Sequence, residues 1–262
     1  MKYEKSILAL QHFSQGIKAM VNKKLELANI TLIAVTSVRI KEAIWALKHS
    51  SKNIKFNSVK LLTHEDVRDS FVDVIKINKL DYDGYSKFIV YELYKYFITD
   101  YVLLIQDDGY VVNPKAWKED FLKYDYIGAP WGLPQDDFSY RDKDGNIRRV
   151  GNGGFSLRSM KLCRLAYDLN LPWEGNYGYY HEDGFICTKN VHIYEENGCR
   201  FAPIELAACF SQEKILEEWG SIKPFGFHGK NSKHNIKYNV FTSKVRRFLY
   251  SYFSHNGGKN DL

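Results

Sequence analysis

Hydrophobic residues change their spacing along the chain in a regular order. Ile7, Leu10, Phe13, Ile17, Met20 and Val21 recur at helical intervals within residues 3–26, which predicts an amphipathic N-terminal helix. The run from Ile30 to Thr36 is continuous, apolar and β-branched, as in a parallel strand covered on both faces. Residues 39–49 then read as a helix and residues 58–63 as a second strand. Tyr85 to Phe97 has strong helical periodicity and leads into Tyr101 to Ile105, another buried strand, which stops at Gln106-Asp107-Asp108-Gly109. Pro, Gly and Asp crowd residues 130–152, predicting a long surface loop or hairpin. Asn197-Gly198 predicts a turn joining residues 192–194 to residues 200–202, in the manner of a hairpin.

Strand, helix, strand, helix, strand is the order of an α/β domain, with a right-handed, mainly parallel sheet and helices on both faces. Ligands of such sheets sit beyond the carboxyl ends of the strands. The loops after Thr36, Thr63 and Ile105 are therefore the first places to look for a site. No internal repeat is present.

Composition narrows the class. With 45% hydrophobic and 26% charged residues among 262, the chain reads as a soluble globular protein of one large or two small domains. Its four cysteines (Cys163, Cys187, Cys199, Cys209) form no C-x-x-C pair, which points to free thiols in a reducing cytoplasm. No apolar run approaches the ~20 residues of a membrane span, and the N-terminus lacks a signal-peptide pattern. A cytoplasmic location is expected. The net charge of +6 belongs wholly to residues 230–262, and the rest of the chain is neutral. A nucleic-acid binder would spread that charge over its binding domain, so nucleic acid is not an expected partner.

Four short segments could carry chemistry. Asp107 and Asp108 end a buried strand, where two carboxylates repel and a bound Mg²⁺ or Mn²⁺ would offset the repulsion; a solvated acidic turn is the other reading. Residues 150–158 set glycines before an apolar stretch that reads as helical, so that backbone N–H groups could meet a ligand; a plain glycine-rich turn is the alternative. His181-Glu182-Asp183 offers two carboxylates before a helical start, either a general base toward a sugar hydroxyl or acidic capping. His228, between small residues, is a candidate metal ligand or a structural histidine.

Together these segments resemble a family. The strand ending QDD, then YDYIGAPW (124–131), GNGGFSLRS (151–159), HEDGFIC (181–187) and PFGFHG (224–229) are similar to bacterial and fungal glycosyltransferase-like proteins catalogued as a domain of unknown function. These are distant relatives of β-1,4-galactosyltransferases and Fringe-type enzymes. The resemblance implies a glycosyltransferase A type domain over residues 29–229, between an N-terminal helix (1–28) and a basic tail (230–262). It also implies a metal-dependent transfer from a nucleotide sugar, UDP-linked, to a glycan or glycolipid acceptor, in bacterial surface-glycan assembly.

Roles follow position by position. Asp108 would bind the metal that bridges the donor diphosphate, with His228 as second ligand. Gln106 stands where the D-x-D motif begins with Asp, and Asp107 follows it on the donor side. Asn152, Gly153, Gly154 and Phe155 would line the donor-sugar pocket. Asp183 falls where inverting relatives keep their base, with Glu182 beside it on a sugar hydroxyl. Thr36, Ser37 and Arg39 would flank the nucleotide, with Lys87 a further candidate, and Trp131, Tyr180 and His181 would meet the acceptor.

Two rival readings stand beside this one. A metal-dependent nucleotidyltransferase usually has a glycine-rich, basic first loop, and TSVRIK (36–41) has no glycine. A non-catalytic sugar-binding or scaffold protein of the same fold has no need of Asp108, Asp183 or His228, all of which are present. In the tail, Phe241, Val245, Phe248, Leu249 and Tyr252 fall on one face of a basic amphipathic helix over 238–253. That helix would either lie on an anionic membrane surface or pack against the domain or a second subunit.

Overall fold

The apolar run at Ile30 is the middle of a strand, β1 (Leu25–Val35), in the computed structural model, which describes residues 24–174, 181–214 and 216–229. β1 pairs in parallel with β2 (Ile54–Thr63) on one side and β4 (Tyr101–Ile105) on the other. β3 (Asp73–Lys76) extends the parallel run beyond β2. Past β4 lies β7 (Val150–Ser159), antiparallel to it, and β6 (Tyr126–Pro130) forms the edge. The order is β3-β2-β1-β4-β7-β6, so the sheet is mainly parallel with one reversed strand inside it.

Among the described residues the longer helices beside it are α1 (Ile40–Ser50), α2 (Tyr82–Tyr91), α3 (Met160–Asp168), α4 (Val191–Glu196) and α5 (Ile204–Phe210). On one face Leu32, Leu103, Ile105, Phe155 and Leu157 pack with Leu47 of α1 and Phe210 of α5. On the other, Ile33, Val35, Val102 and Leu104 meet Phe88 and Ile89 of α2, while Tyr126 packs with Leu162 of α3 and Tyr194 of α4. Successive residues of a strand face opposite layers, and both layers here are dry. That is why β4 and the Ile30–Val35 part of β1 are apolar at nearly every position, Thr31 excepted, and not at alternate ones. Each such leucine or isoleucine, fully covered, contributes ~2 kcal/mol. Among the described residues, no helix is long and apolar enough to cross a membrane.

A second, small sheet stands beyond the carboxyl end of β4. It runs β5-β9-β8, from β5 (Gly109–Val111), β9 (Gly226–His228) and β8 (Ser211–Gln212). Its register pairs Gly109 with His228, which draws the chain's distant PFGFHG segment onto the QDD turn.

The α/β class and the mainly parallel sheet are as expected; several boundaries are not. β1 begins at Leu25, so the last two residues of the expected N-terminal helix are strand, and β2 begins at Ile54. The helix expected over 85–97 runs from Tyr82 to Tyr91, started by Asp81, whose side chain accepts from the Gly84 N–H at 2.7 Å, and gives way to a 3₁₀ turn over Leu93–Tyr96. Residues 150–158 are neither a glycine-rich turn nor a helical start: they are the buried strand β7, and the helix begins only at Met160, capped by Ser159. The hairpin expected around Asn197-Gly198 is absent. Residues 192–194 lie within α4, and Gly198, at φ 77°, ends that helix, since the Cys199 N–H reaches back to the Tyr194 carbonyl at 2.9 Å. The helix expected over residues 3–26 falls outside the described residues up to position 23, as do Tyr180 and the tail helix over 238–253.

Asp125, at the start of β6, ties three segments together. Its carboxylate accepts from Ser159 Oγ at 2.7 Å and from the Arg200 N–H at 2.8 Å, and Lys161 Nζ lies 3.3 Å away. Asp125→Ala strands the buried Ser159 hydroxyl and the part-buried Arg200 N–H and is expected to lower stability by ~2 kcal/mol. The check is a lower urea midpoint with an unchanged slope.

Candidate active site

Two groups of polar side chains gather where β4 ends beside the first half of β7. The first is built on the QDD turn. Asp108 is buried, and its Oδ1 lies 3.4 Å from His228 Nε2. The same nitrogen is 3.1 Å from Gln106 Oε1, and Gln106 Nε2 donates to the Tyr85 hydroxyl at 3.2 Å. Arg39 holds Asp107 from the β1 loop, Nη1 to Oδ2 at 2.8 Å. Arg39 is in the left-handed region at φ 53°, a conformation that disfavours most side chains. Burial works against charging His228, but hydrogen bonding and charge from Asp108 outweigh it, so its pKa lies above the ordinary value.

These residues fit a divalent cation. Asp108 and His228 offer one carboxylate and one imidazole side by side. Among the described residues no group of three His, Cys, Asp or Glu is placed to hold a metal ion. Mg²⁺-like ions are usually held that sparingly, by one or two protein ligands with phosphate oxygens and water completing the shell. Glu213 Oε1 stands 3.9 Å from His228 Nδ1, a carboxylate for the ring nitrogen that a metal would leave protonated.

The second group is built on the HEDG turn, a helical turn over Glu182–Gly184 that continues as a π-helical stretch, Phe185–Lys189. Asp183 Oδ1 accepts from the Gly184 N–H at 2.8 Å, and Oδ2 from the Gly153 N–H at 3.3 Å. Burial, and next the charge of Glu182, push the Asp183 carboxyl up to about 7. Glu182 is buried and pairs with Arg158, Nη2 to Oε1 at 3.0 Å. Tyr82, on the first turn of α2, places its hydroxyl 2.5 Å from His181 Nδ1, and its own pKa is raised by burial and then by Asp183 and Glu182.

Gly153 and Gly154 join the two groups. A Cβ on Gly153 would lie 2.1 Å from Glu182 Oε1, and one on Gly154 would lie 2.1 Å from His228 Nε2. Adjacent residues of a strand face opposite ways, so each glycine makes room for one of the two groups.

The other expected residues are placed as follows. The Thr36 hydroxyl engages Val38, and Ser37 Oγ accepts from the Leu80 N–H at 2.8 Å, so both order the loop before Arg39. Asn152 accepts from the Gly154 N–H at 3.3 Å. Phe155 is a correction: its ring is fully covered, packed with Phe210 and Phe225, and lines no pocket because it falls on the core face of β7. Lys87 is turned to Asp83, 2.7 Å away, and to the Trp173 ring, and joins neither group. Trp131 is nearly covered, stacked on Tyr140 at 4.6 Å and seated where Gly151 has no side chain. Sequence reasoning missed Arg158, Tyr82 and Tyr85. The available signals were two tyrosines three apart behind a capping Asp81, and one cation inside an apolar strand.

Solved structures similar to this chain are glycosyltransferases at low identity. The apo-form glycosyltransferase GlyE of Streptococcus pneumoniae TIGR4 has a TM-score of 0.42 and 12% identity over 86% of this chain, which spans 63% of that one. A glycosyltransferase involved in glycosylation of the major capsid of PBCV-1 has a TM-score of 0.45 and 11% identity, over 80% of this chain and 98% of that one. No curated protein matches the sequence. A family profile does match, across residues 72–228, from β3 through the QDD turn, β7 and the HEDG turn to His228. The chain belongs to that family, DUF5672, described as proteins of unknown function.

Proposed function

We propose that this protein is a glycosyltransferase that moves a sugar from a nucleotide-sugar donor to a hydroxyl of a glycan or glycolipid acceptor, with inversion. One observation carries the reading. A carboxylate held ready for a proton near neutral pH and a carboxylate–imidazole pair suited to a divalent ion flank a single glycine step, Gly153-Gly154. Transfer from a nucleoside diphosphate sugar needs that combination: a base for the incoming hydroxyl and stabilisation for the departing diphosphate.

Asp183 takes the proton of the acceptor hydroxyl as its oxygen attacks the anomeric carbon. The Gly153 and Gly184 N–H groups fix the carboxylate's orientation. Tyr82, hydrogen-bonded to His181 and 65% exposed as a residue, stands on the acceptor side. Arg39, through Asp107, holds the QDD turn in place. Mn²⁺ or Mg²⁺, held by Asp108 and His228, would supply Lewis-acid stabilisation of the leaving UDP. With one base and one displacement, the product carries the inverted anomeric configuration.

Asp108→Ala and His228→Ala are each expected to weaken Mn²⁺-dependent UDP-sugar binding by ~10²-fold or more, since even residues behind metal ligands cost 10–100-fold. Calorimetry with and without Mn²⁺ reads this, and unchanged affinity in both variants removes the metal assignment. A panel of nucleotide sugars tests the reaction itself. A transferase or slow donor hydrolase releases nucleoside diphosphate, a nucleotidyltransferase releases or consumes pyrophosphate, and a scaffold releases neither.

A further inference from the structure

Arg158 heads the fully covered side chains by size among the described residues, and no step above uses it. Nothing about packing requires a cation there, in the interior of β7, where leucine or methionine would fill the space. Its Nη2 holds Glu182 Oε1 at 3.0 Å, its Nε donates to Ser156 Oγ at 3.0 Å, and its guanidinium lies 5.2 Å from the Tyr126 ring centroid. Nη1 is buried with no hydrogen-bond partner among the described residues. A fully buried guanidinium with an unmet donor is costly to the fold.

The cost is matched by a need created next door. Glu182 and Asp183 are adjacent carboxylates in a water-poor place. Two such groups repel, and near neutral pH the pair tends to keep one proton between them. Which carboxylate keeps it depends on the charges facing each. The groups whose charge acts on Asp183 are Glu182 and Arg158, with Tyr82, Tyr85, Tyr126, Cys187 and His228 nearby. Burial pushes the three phenols and the thiol up, so they stay neutral, and His228 is turned to Asp108. Arg158 is the fixed cation, and it contacts Glu182 and not Asp183.

We propose that Arg158 is a positioning residue: by holding Glu182 as its ion partner it keeps that carboxylate charged, and leaves Asp183 as the one that exchanges a proton. Glu182 is then not a contact for a sugar hydroxyl. It is half of a neutral pair that sits behind the base. Gly153 fits this arrangement, because any side chain there would enter the space between Glu182 and Arg158. The proposal rests on the transferase reading only for the identity of the proton's source.

The test reads the two carboxylates directly, in the full-length protein labelled with ¹³C at Asp and Glu side-chain carboxyls. Asp183→Asn and Glu182→Gln assign the two signals. In the wild type, Asp183 is expected to be the carboxyl that titrates near neutral pH. In Arg158→Gln, Glu182 acquires a near-neutral midpoint and Asp183 moves down, so the two exchange behaviour. In Arg158→Lys, which keeps the charge, the wild-type order returns. In Glu182→Gln, Asp183 faces the cation without its counter-charge, and its midpoint falls by about one pH unit or more. Should Arg158→Gln fail to fold, Glu182→Gln and Arg158→Lys still decide. An Asp183 midpoint unmoved in Glu182→Gln, or an exchange of behaviour already present in Arg158→Lys, overturns the proposal. No substrate is needed for these readings. Absence of transfer from every sugar donor, with the titrations as expected, removes the reaction and leaves the role of Arg158 standing.

Discussion

Asp183→Asn is expected to leave donor binding nearly intact and to lower sugar transfer by ~10²-fold or more, the usual worth of a positioned general base. Asparagine keeps the size and can still accept one of the two glycine N–H bonds, but it cannot take the acceptor proton. The pH dependence sharpens the test. With the Asp183 carboxyl pushed up to about 7, wild-type transfer should climb as pH rises from 6 to 8 and then level, and the variant's residual rate should lack that limb. Stability runs the other way. Below the ordinary value of 3.8 the carboxyl is protonated in the folded and unfolded chains alike and has no effect. Between there and about 7 the unfolded chain releases its proton first, and above that range the folded protein bears the cost of an ionised, half-buried carboxylate beside Glu182. The variant should therefore be more stable than the wild type at pH 8, by up to about 4 kcal/mol, with the difference fading toward pH 4. Calorimetric melts at both pH values read it. Full transfer by the variant, or a stability gap that does not change with pH, would place the base elsewhere.

How much of this was legible in the sequence depends on whether the physical signal is local. β4 and the middle of β1 were legible because burial on both faces demands an unbroken apolar run, and Gln106-Asp107-Asp108 stood out because such a run ends there in charge. β7 was misread because glycine is ordinarily a turn residue, and the reason for these glycines lies far off in the chain. Gly151 accommodates Trp131, Gly153 the Glu182 carboxylate and Gly154 the His228 ring. Its place as a reversed strand between β4 and β6 was hidden for the same reason, since Ile105 pairs with Phe155 across fifty residues. At residues 192–202 the turn signal was sound but the elements were not. Gly198 does adopt positive φ, as the terminator of a helix too short to show its period.

The site followed the same division. Asp108, Asp183 and His228 are chemistry-bearing residues in segments that look like site segments, and they do come into two adjoining groups. Arg158 does not announce itself, because a charged residue within a strand ordinarily reads as a solvent-facing position. Tyr82 and Tyr85 were lost among 19 tyrosines, and only the docking of α2 beside Gln106 and His181 singles them out. Phe155 shows the reverse error. A segment can line a site while one of its residues belongs to the core, and here the register of β7 against β6 also shifts between Leu157 and Asn152.

Gly153→Ala and Gly154→Ala are expected to break different halves of the site, although each adds a single methyl to one of two consecutive residues. Neither glycine has a positive φ, so alanine suits the backbone and space alone decides. At Gly154 the new methyl would meet His228 Nε2 at 2.1 Å and the ring's other atoms at 2.3 and 2.4 Å. The imidazole must swing away from Asp108. Mn²⁺-dependent donor binding should fall by ~10-fold or more, while overpacking costs ~1–3 kcal/mol and the Asp183 titration stays in place. At Gly153 the methyl would meet Glu182 Oε1 at 2.1 Å and Arg158 Nη2 at 2.9 Å. Neither side chain has anywhere to go, since Glu182 is 6% exposed and Arg158 is 0% exposed. Prising apart a buried ion pair leaves two charges without compensation, a loss of ~3–5 kcal/mol. That is of the same order as the net stability of many domains, so Gly153→Ala should unfold at a far lower urea midpoint than Gly154→Ala and show little transfer. The two midpoints, with metal-dependent donor binding measured on whatever remains folded, separate the effects. A Gly153→Ala protein as stable and as active as the wild type would mean that Glu182 and Arg158 do not meet beneath this glycine, and the electrostatic account of Asp183 would go with them.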